Sequence, residues 1–174
     1  MRVAGIIHDS ITDGPGLRYV VFTQGCKIRC EGCHNPDTWD HDGGTEKAVE
    51  EIAGDMLSNP LIDGLTISGG EPFEQAADCA SLAAAAIKNG LDVWVFTGKT
   101  FEELYIEAGS NTDTCKLLSL TNILVDGRFI ITRRTLSQKW CGSTNQRIID
   151  VPKSLKTGKG ELWHDSKSQG AISE

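Results

Sequence analysis

No stretch of this chain approaches the ~18 consecutive apolar residues that a bilayer-spanning helix requires, so nothing in it reads as a membrane anchor. The opening Met1-Arg2-Val3-Ala4-Gly5 lacks the charged start, sustained apolar run and small-residue cleavage site of a secretory leader. A cytoplasmic location is the expectation. Basic residues are the scarcer charge: 17 Lys and Arg stand against 24 Asp and Glu, giving a net charge of −7. That balance argues against a nucleic-acid binder, which grips phosphates with an excess of Lys and Arg. It leaves room for a protein partner with a basic patch. Internal repeats, long linkers and low-complexity blocks are also missing.

What is present is a chain of 174 residues, 39% apolar and 24% charged, which suits one globular domain. Its six cysteines, in a chain expected in a reducing compartment, suggest metal ligands or reactive thiols rather than disulfides. Cys79 falls among alanines on a helix and reads as a buried, inert thiol, as does Cys115; Cys141 lies beside the later Gly142 stretch. His8 and His164 read as surface or satisfied histidines.

Strand and helix patterns alternate. Leu17 to Gly25 (LRYVVFTQG) is rich in β-branched and aromatic residues and predicts a first strand. A cysteine-rich loop runs from Cys26 to about Gly44. Thr45 is placed to cap a helix with Val49, Ile52, Ala53, Met56 and Leu57 on one face, stopped by Asn59-Pro60. Leu65 to Ser68 predicts a second strand. Pro72 then opens a helix with Phe73, Ala76, Ala77, Ala80, Ala84 and Ile87 on one side, closed by Gly90. Leu91 to Thr97 predicts a third strand, apolar on both faces as in a covered parallel sheet. Thr100 and Glu103 form a capping box. A helical stretch through Leu117, Leu118 and Leu120 leads to a strand at Asn122 to Asp126, and Gln146 to Val151 adds another. Beyond Pro152 the chain is polar and without periodicity, so residues 152–174 are expected to be a loosely ordered tail.

This order predicts an α/β fold with right-handed crossovers and a mainly parallel sheet. The strands end in TQG, ISGG, FTG and VDG. In such architectures the C-terminal strand ends share one edge, where ligands bind. The cysteine-rich loop and the Gly69-Gly70-Glu71 turn should therefore face one another.

Cys26-Lys27-Ile28-Arg29-Cys30-Glu31-Gly32-Cys33 places three thiols within one short loop. Soft thiolates suit zinc, Cu(I) or an iron–sulfur cluster. A structural zinc site would need a fourth ligand, for which His34 or His41 is at hand. A four-iron cluster held by three thiolates would keep one metal position open, as a catalytic site requires. Residues alone leave both readings standing. Asp13-Gly14-Pro15-Gly16 is a turn, and Lys99 follows the third strand.

Taken together, these motifs resemble the radical S-adenosylmethionine superfamily. The C-x3-C-x2-C spacing is that superfamily's, and Ser68-Gly69-Gly70-Glu71-Pro72 matches its "GGEP" motif. Asp13-Gly14-Pro15-Gly16 and Cys33-His34-Asn35-Pro36 look like its glycyl-radical-activating branch. Gly142 to Val151 (GSTNQRIIDV) resembles the C-terminal signature of the activators of anaerobic ribonucleoside-triphosphate reductase. The resemblance runs from about residue 5 to 151, which marks residues 1–151 as the activase domain and implies an open partial (β/α) barrel. It implies a [4Fe–4S] cluster on Cys26, Cys30 and Cys33, and S-adenosyl-L-methionine held by Ser68, Gly69, Gly70 and Glu71, with Lys99 as a further carboxylate partner. The Glu71 carboxylate would take the ammonium of the methionine moiety. The implied reaction is reductive cleavage of that compound and hydrogen abstraction from a glycine of the reductase, with a low-potential donor such as flavodoxin supplying the electron. Asp13, Gly14, Asn145, Gln146 and Arg147 are implied on the partner or site surface. Pyruvate formate-lyase is the alternative target, and a non-catalytic zinc module is the alternative outside the family. Family members often carry an aromatic or apolar residue just before the third Cys, packed on the adenine; here it is Gly32.

Overall fold

The strands form where β-branched and aromatic residues cluster, and the computed structural model, which describes residues 1–164, joins them into one open sheet. Seven strands enter it: β1 (Arg2–Ser10), β2 (Arg18–Thr23), β3 (Thr45–Glu46), β4 (Gly64–Gly69), β5 (Asp92–Phe96), β6 (Ile123–Asp126) and β7 (Arg147–Asp150), in the order β3-β1-β2-β4-β5-β6-β7. The central four, β2, β4, β5 and β6, run parallel. The antiparallel strands β1 and β7 flank them. The fold is thus mixed α/β around a parallel centre, and the sheet stays open.

Among the described residues, five helices accompany it: α1 (Val49–Ser58), α2 (Ala76–Lys88), α3 (Phe101–Ala108), α4 (Thr112–Leu120) and α5 (Val151–Thr157). The main core lies between helices and sheet, where Leu65, Ile67, Val93 and Val95 meet Ile52, Met56, Leu82, Phe101 and Leu117. Alternation along β5 sends Trp94 to the other face, with Ile123, Val125 and Cys141. Arg18 lies wholly buried on that second face, its guanidinium bonded to Thr66 Oγ1, Leu65 O and the Asp92 carboxylate.

Several expectations need correction. A strand, β1, precedes the one expected first; its Gly5, His8 and Asp9 break the apolar pattern because much of it faces solvent. Thr45 caps no helix. It pairs with Val3 in β3, and α1 starts after Ala48 with no side-chain cap. Leu57 is exposed. Pro72–Gln75 is a separate 3-10 turn, and α2 buries Cys79, Leu82, Ala83 and Ala86 while Ala77, Ala84 and Ile87 face outward. The capping box at Thr100 and Glu103 is present. Cys79 is fully buried, but Cys115 is exposed.

The expected loose tail is ordered as far as residue 164. Asp150 caps α5 by accepting from Lys153 N–H, and Gly158 in the left-handed region ends it. Leu162 then bridges to Ile149, and Trp163 packs edge-on against Trp94, with ring centroids 5.4 Å apart. Trp140 completes this triad on the second face, 5.1 Å from Trp94. Residues 165–174 of the tail lie outside the described residues. Replacing Trp163 with Ala should therefore cost about 2 kcal/mol of unfolding free energy, less than a fully buried Trp would. Urea titration followed by far-UV circular dichroism checks this; an unchanged midpoint would mean that the tail adds nothing to the fold.

Candidate metal centre

The C-terminal ends of β2 and β4 meet so closely that backbone bonds to backbone past the end of the sheet. Gly70 N–H donates to Thr23 O at 2.7 Å, and Glu71 N–H to Gly25 O at 2.8 Å. Side chains cannot fit there: a Cβ on Gly70 would sit 2.2 Å from Gly25 O, and one on Gly69, whose φ is +98°, 2.6 Å from Thr23 N. Glu71 is almost wholly buried. Its carboxylate accepts from Phe73 N–H at 3.1 Å, the Thr97 hydroxyl at 2.8 Å and Gly98 N–H at 3.0 Å. This stitches the end of β4 to the end of β5. Burial pushes the Glu71 carboxyl up, while those donors and the charge of Lys99 pull it down.

The cysteine loop is anchored to the same seam. Gln24 Nε2 donates to Asp37 O at 3.0 Å and Asp40 O at 2.6 Å, and Gly25 and Cys26 N–H donate to Thr38 O and Trp39 O. Cys33 N–H closes a turn onto Cys30 O at 3.1 Å, with Arg29 and Gly32 at positive φ. Glu74 accepts from Lys27 N–H at 2.9 Å and pairs with His41 at 2.6 Å. His41 is thereby engaged with a carboxylate. His34 lies against the Phe129 ring, with centroids 4.9 Å apart.

Cys26, Cys30 and Cys33 all line one cavity of about 360 Å³. Ser68, Gly69, Gly70, Glu71, Thr97 and Gly98 form its strand-end wall, and Phe129, Trp140, Cys141, Gly142 and Gln146 face them. Burial pushes the Cys26 and Cys30 thiols up; backbone N–H groups of Ile28 and Arg29 oppose it at Cys26, and that of Phe129 at Cys30. A metal would reverse the balance, since a nearby cation favours thiolate. Among the described residues, no three His, Cys, Asp or Glu side chains converge as ligands of a single ion. A cluster takes one sulfur per iron, so its ligands must be spread around a larger object. Three soft donors ringing one cavity fit that requirement.

The remaining candidates divide. Asp13 reaches the rim of the cavity, although its turn precedes β2, because the chain between β1 and β2 folds over the second face; Thr66 Oγ1 donates to Asp13 O at 2.8 Å. Gly14 packs against the Arg18 side chain instead. Gln146 lines the cavity while its amide holds Gly142, Ser143 and Gly127. Asn145 donates to Arg128 O outside the cavity. Lys99 turns away and pairs with Glu107 at 2.5 Å. Arg147 lies outside too, clamping Asp126 at 2.5 Å and Glu102 at 2.6 Å. Asp126 in turn accepts from Phe101 N–H at 2.8 Å. Arg147 thus joins β7, β6 and the start of α3. The place that a side chain on Gly32 would take is filled by Ile131, whose Cδ1 would lie 2.8 Å from its Cβ. Phe129 and Trp140 carry no sequence signal because they come from an irregular loop without a motif, whereas Cys141, singled out for its place beside Gly142, does line the cavity.

A family model described as a 4Fe-4S single cluster domain matches residues 12–149. The chain belongs to this family. Membership implies a [4Fe–4S] cluster for the chain, and the three thiols on the cavity wall are the candidates to hold it. Pyruvate formate-lyase-activating enzymes of Staphylococcus aureus, strains USA300 and NCTC 8325, are each 34% identical over 164 residues, covering 87% of this chain and 61% of theirs. The chain thus spans about three fifths of the length of these curated relatives. Among solved structures, QueE from Escherichia coli matches 57% of this chain and 52% of its own, with a TM-score of 0.43 and 19% identity.

Two outcomes follow from this geometry. Gly70→Ala forces a Cβ onto a carbonyl oxygen that cannot yield without parting the strand ends, so reconstituted protein should hold less iron and melt several degrees lower; iron content with calorimetry checks it, and wild-type values for both would remove the close-approach argument. Arg147→Ala should cost about 2 kcal/mol, because it strips the buried Asp126 carboxylate of its charged partner. The Arg147 hydrogen bond holds Glu102 down to about 2 from 4.5. A depressed carboxylate lends its stability above the ordinary value and loses it as pH falls toward the folded one. The acid limb of wild-type stability between those pH values should flatten in the variant, as melting curves of the metal-free protein across acid pH would show.

Proposed function

We propose that this chain is a radical S-adenosylmethionine activase, which cleaves S-adenosyl-L-methionine reductively and installs a glycyl radical on a partner enzyme. The reading rests on one observation. The three thiols and the glycine-sealed strand ends open onto one and the same cavity. When bound, the cluster supplies one low-potential electron that splits the sulfonium compound into methionine and a 5′-deoxyadenosyl radical.

The chain's own residues hold, orient and shield. Cys26, Cys30 and Cys33 would hold the cluster by three thiolates. Ser68, Gly69 and Gly70 offer the wall for the methionine end. Glu71, with three donors already on its carboxylate, braces that wall rather than reaching for the ammonium. Phe129 and Trp140 bound the cavity with apolar rings and limit water. Asp13 at the rim faces the approach of a glycine-bearing loop. No side chain of this chain would be needed as acid or base, because a hydrogen atom rather than a proton would leave the partner's glycine Cα.

Gly142 to Val151 supports anaerobic ribonucleoside-triphosphate reductase as the partner, with flavodoxin or another low-potential donor as electron source. The 34% identity to activating enzymes of pyruvate formate-lyase favours that enzyme as a second reading. Anaerobic incubation with S-adenosyl-L-methionine, reductant and each candidate, read by electron paramagnetic resonance, decides between them: a protein radical should arise on one alone. Replacing any one of Cys26, Cys30 or Cys33 with Ala should lower 5′-deoxyadenosine to the level seen without protein. Undiminished formation in such a variant would remove that thiol from the site.

A further inference from the structure

Gly127 to Gln146 holds four of the chain's 17 basic residues and none of its 24 acidic ones. Arg128, Arg133, Arg134 and Lys139 are all exposed, and among the described residues none enters an ion pair. Apolar side chains stand among them: Leu136 is 92% exposed and Ile130 36%. A protein of net charge −7 has collected an unpaired basic, apolar surface in one segment.

That segment is not slack. Thr135 N–H donates to Gly142 O at 3.0 Å and Thr144 N–H to Arg133 O at 2.9 Å, while Ile130 N–H donates to Ser143 Oγ at 3.2 Å. A loop so fastened holds its backbone in place and loses little backbone freedom on binding. Its inner side bears Phe129, Trp140 and Cys141, which line the cavity. Whatever sits on its outer side is therefore beside the mouth.

We propose that the outer face of residues 128–139 docks the protein substrate, through an acidic surface with an apolar spot that flanks the substrate's reactive loop. This rests on the activase reading and names the chemistry of its partner. Charge complementarity carries it: four unpaired cations on an acidic protein repel basic partners and steer an acidic one. A second copy of this chain is disfavoured as occupant, because seated here it would obstruct the opening that the substrate must reach.

The test uses the reconstituted protein and two variants, Arg133→Glu with Arg134→Glu, and Leu136→Ser, none of which touches the cavity lining. Binding to pyruvate formate-lyase and to anaerobic ribonucleotide reductase from the organism that supplies this chain is measured without oxygen, at about 50 and about 300 mM salt. Wild-type protein should bind one of them, and more weakly at high salt. The charge reversal should weaken binding about tenfold or more and abolish the salt effect; Leu136→Ser should weaken it at both salts. Formation of 5′-deoxyadenosine without partner, and the melting temperature, should stay at wild-type values. Unaltered binding by the charge reversal, wild-type binding to neither enzyme, or a wild-type dimer that the charge reversal splits in sedimentation would each overturn the proposal. If the wild type binds in this way yet yields no 5′-deoxyadenosine, the docking face stands and the activity reading falls.

Discussion

A buried carboxylate with three donors on it holds the working end of this molecule together. Glu71 takes Phe73, Thr97 and Gly98 as partners, so the last residues of β4 and β5 cannot part without leaving a buried carboxyl group short of its hydrogen bonds. The backbone contact of Gly70 with Thr23 does the same for β4 and β2. Three neighbouring strands are thereby locked at one edge, and the cysteine loop leaves from the first of them. The position of the thiols is thus a property of the sheet more than of the loop.

This arrangement divides labour within the Ser68 to Pro72 motif in a way that its spelling does not show. The glycines are there because neighbouring backbone fills the space of a Cβ. The glutamate serves as an internal brace. Only the exposed wall these residues build remains available to a small molecule. The same holds at the far side of the sheet, where Arg147, Asp126 and Glu102 tie β7, β6 and α3 and leave Gln146 to shape the cavity rim.

Much of this was legible from residues alone, for identifiable reasons. Two-sided apolar runs such as Val93-Trp94-Val95-Phe96 announce covered parallel strands, and Thr100 with Glu103 announces a helix start; both depend on near neighbours in sequence. Convergence of the thiols with Gly69 and Gly70 followed from strand direction. What escaped depends on distant neighbours. Strand β1 is half exposed and carries polar residues, so its pairing with β2 leaves a faint pattern. Thr45 is extended because Val3 lies opposite it, a fact 42 positions away along the chain. Lys99 found Glu107 eight positions on, near the far end of α3, which outweighs any role that its place after β5 suggested. The final residues before 165 look featureless until the Trp94 face gives Trp163 somewhere to rest.

The placement of the indoles has a spectroscopic consequence. The four tryptophans gather near the cavity: Trp39 and Trp140 line it, and Trp94 and Trp163 pack at steep angles against Trp140. An iron–sulfur chromophore absorbs across the range in which indoles emit. With two indoles on the cavity wall and two behind them, a cluster there would quench their emission, so the ultraviolet fluorescence of this chain would fall as metal is loaded.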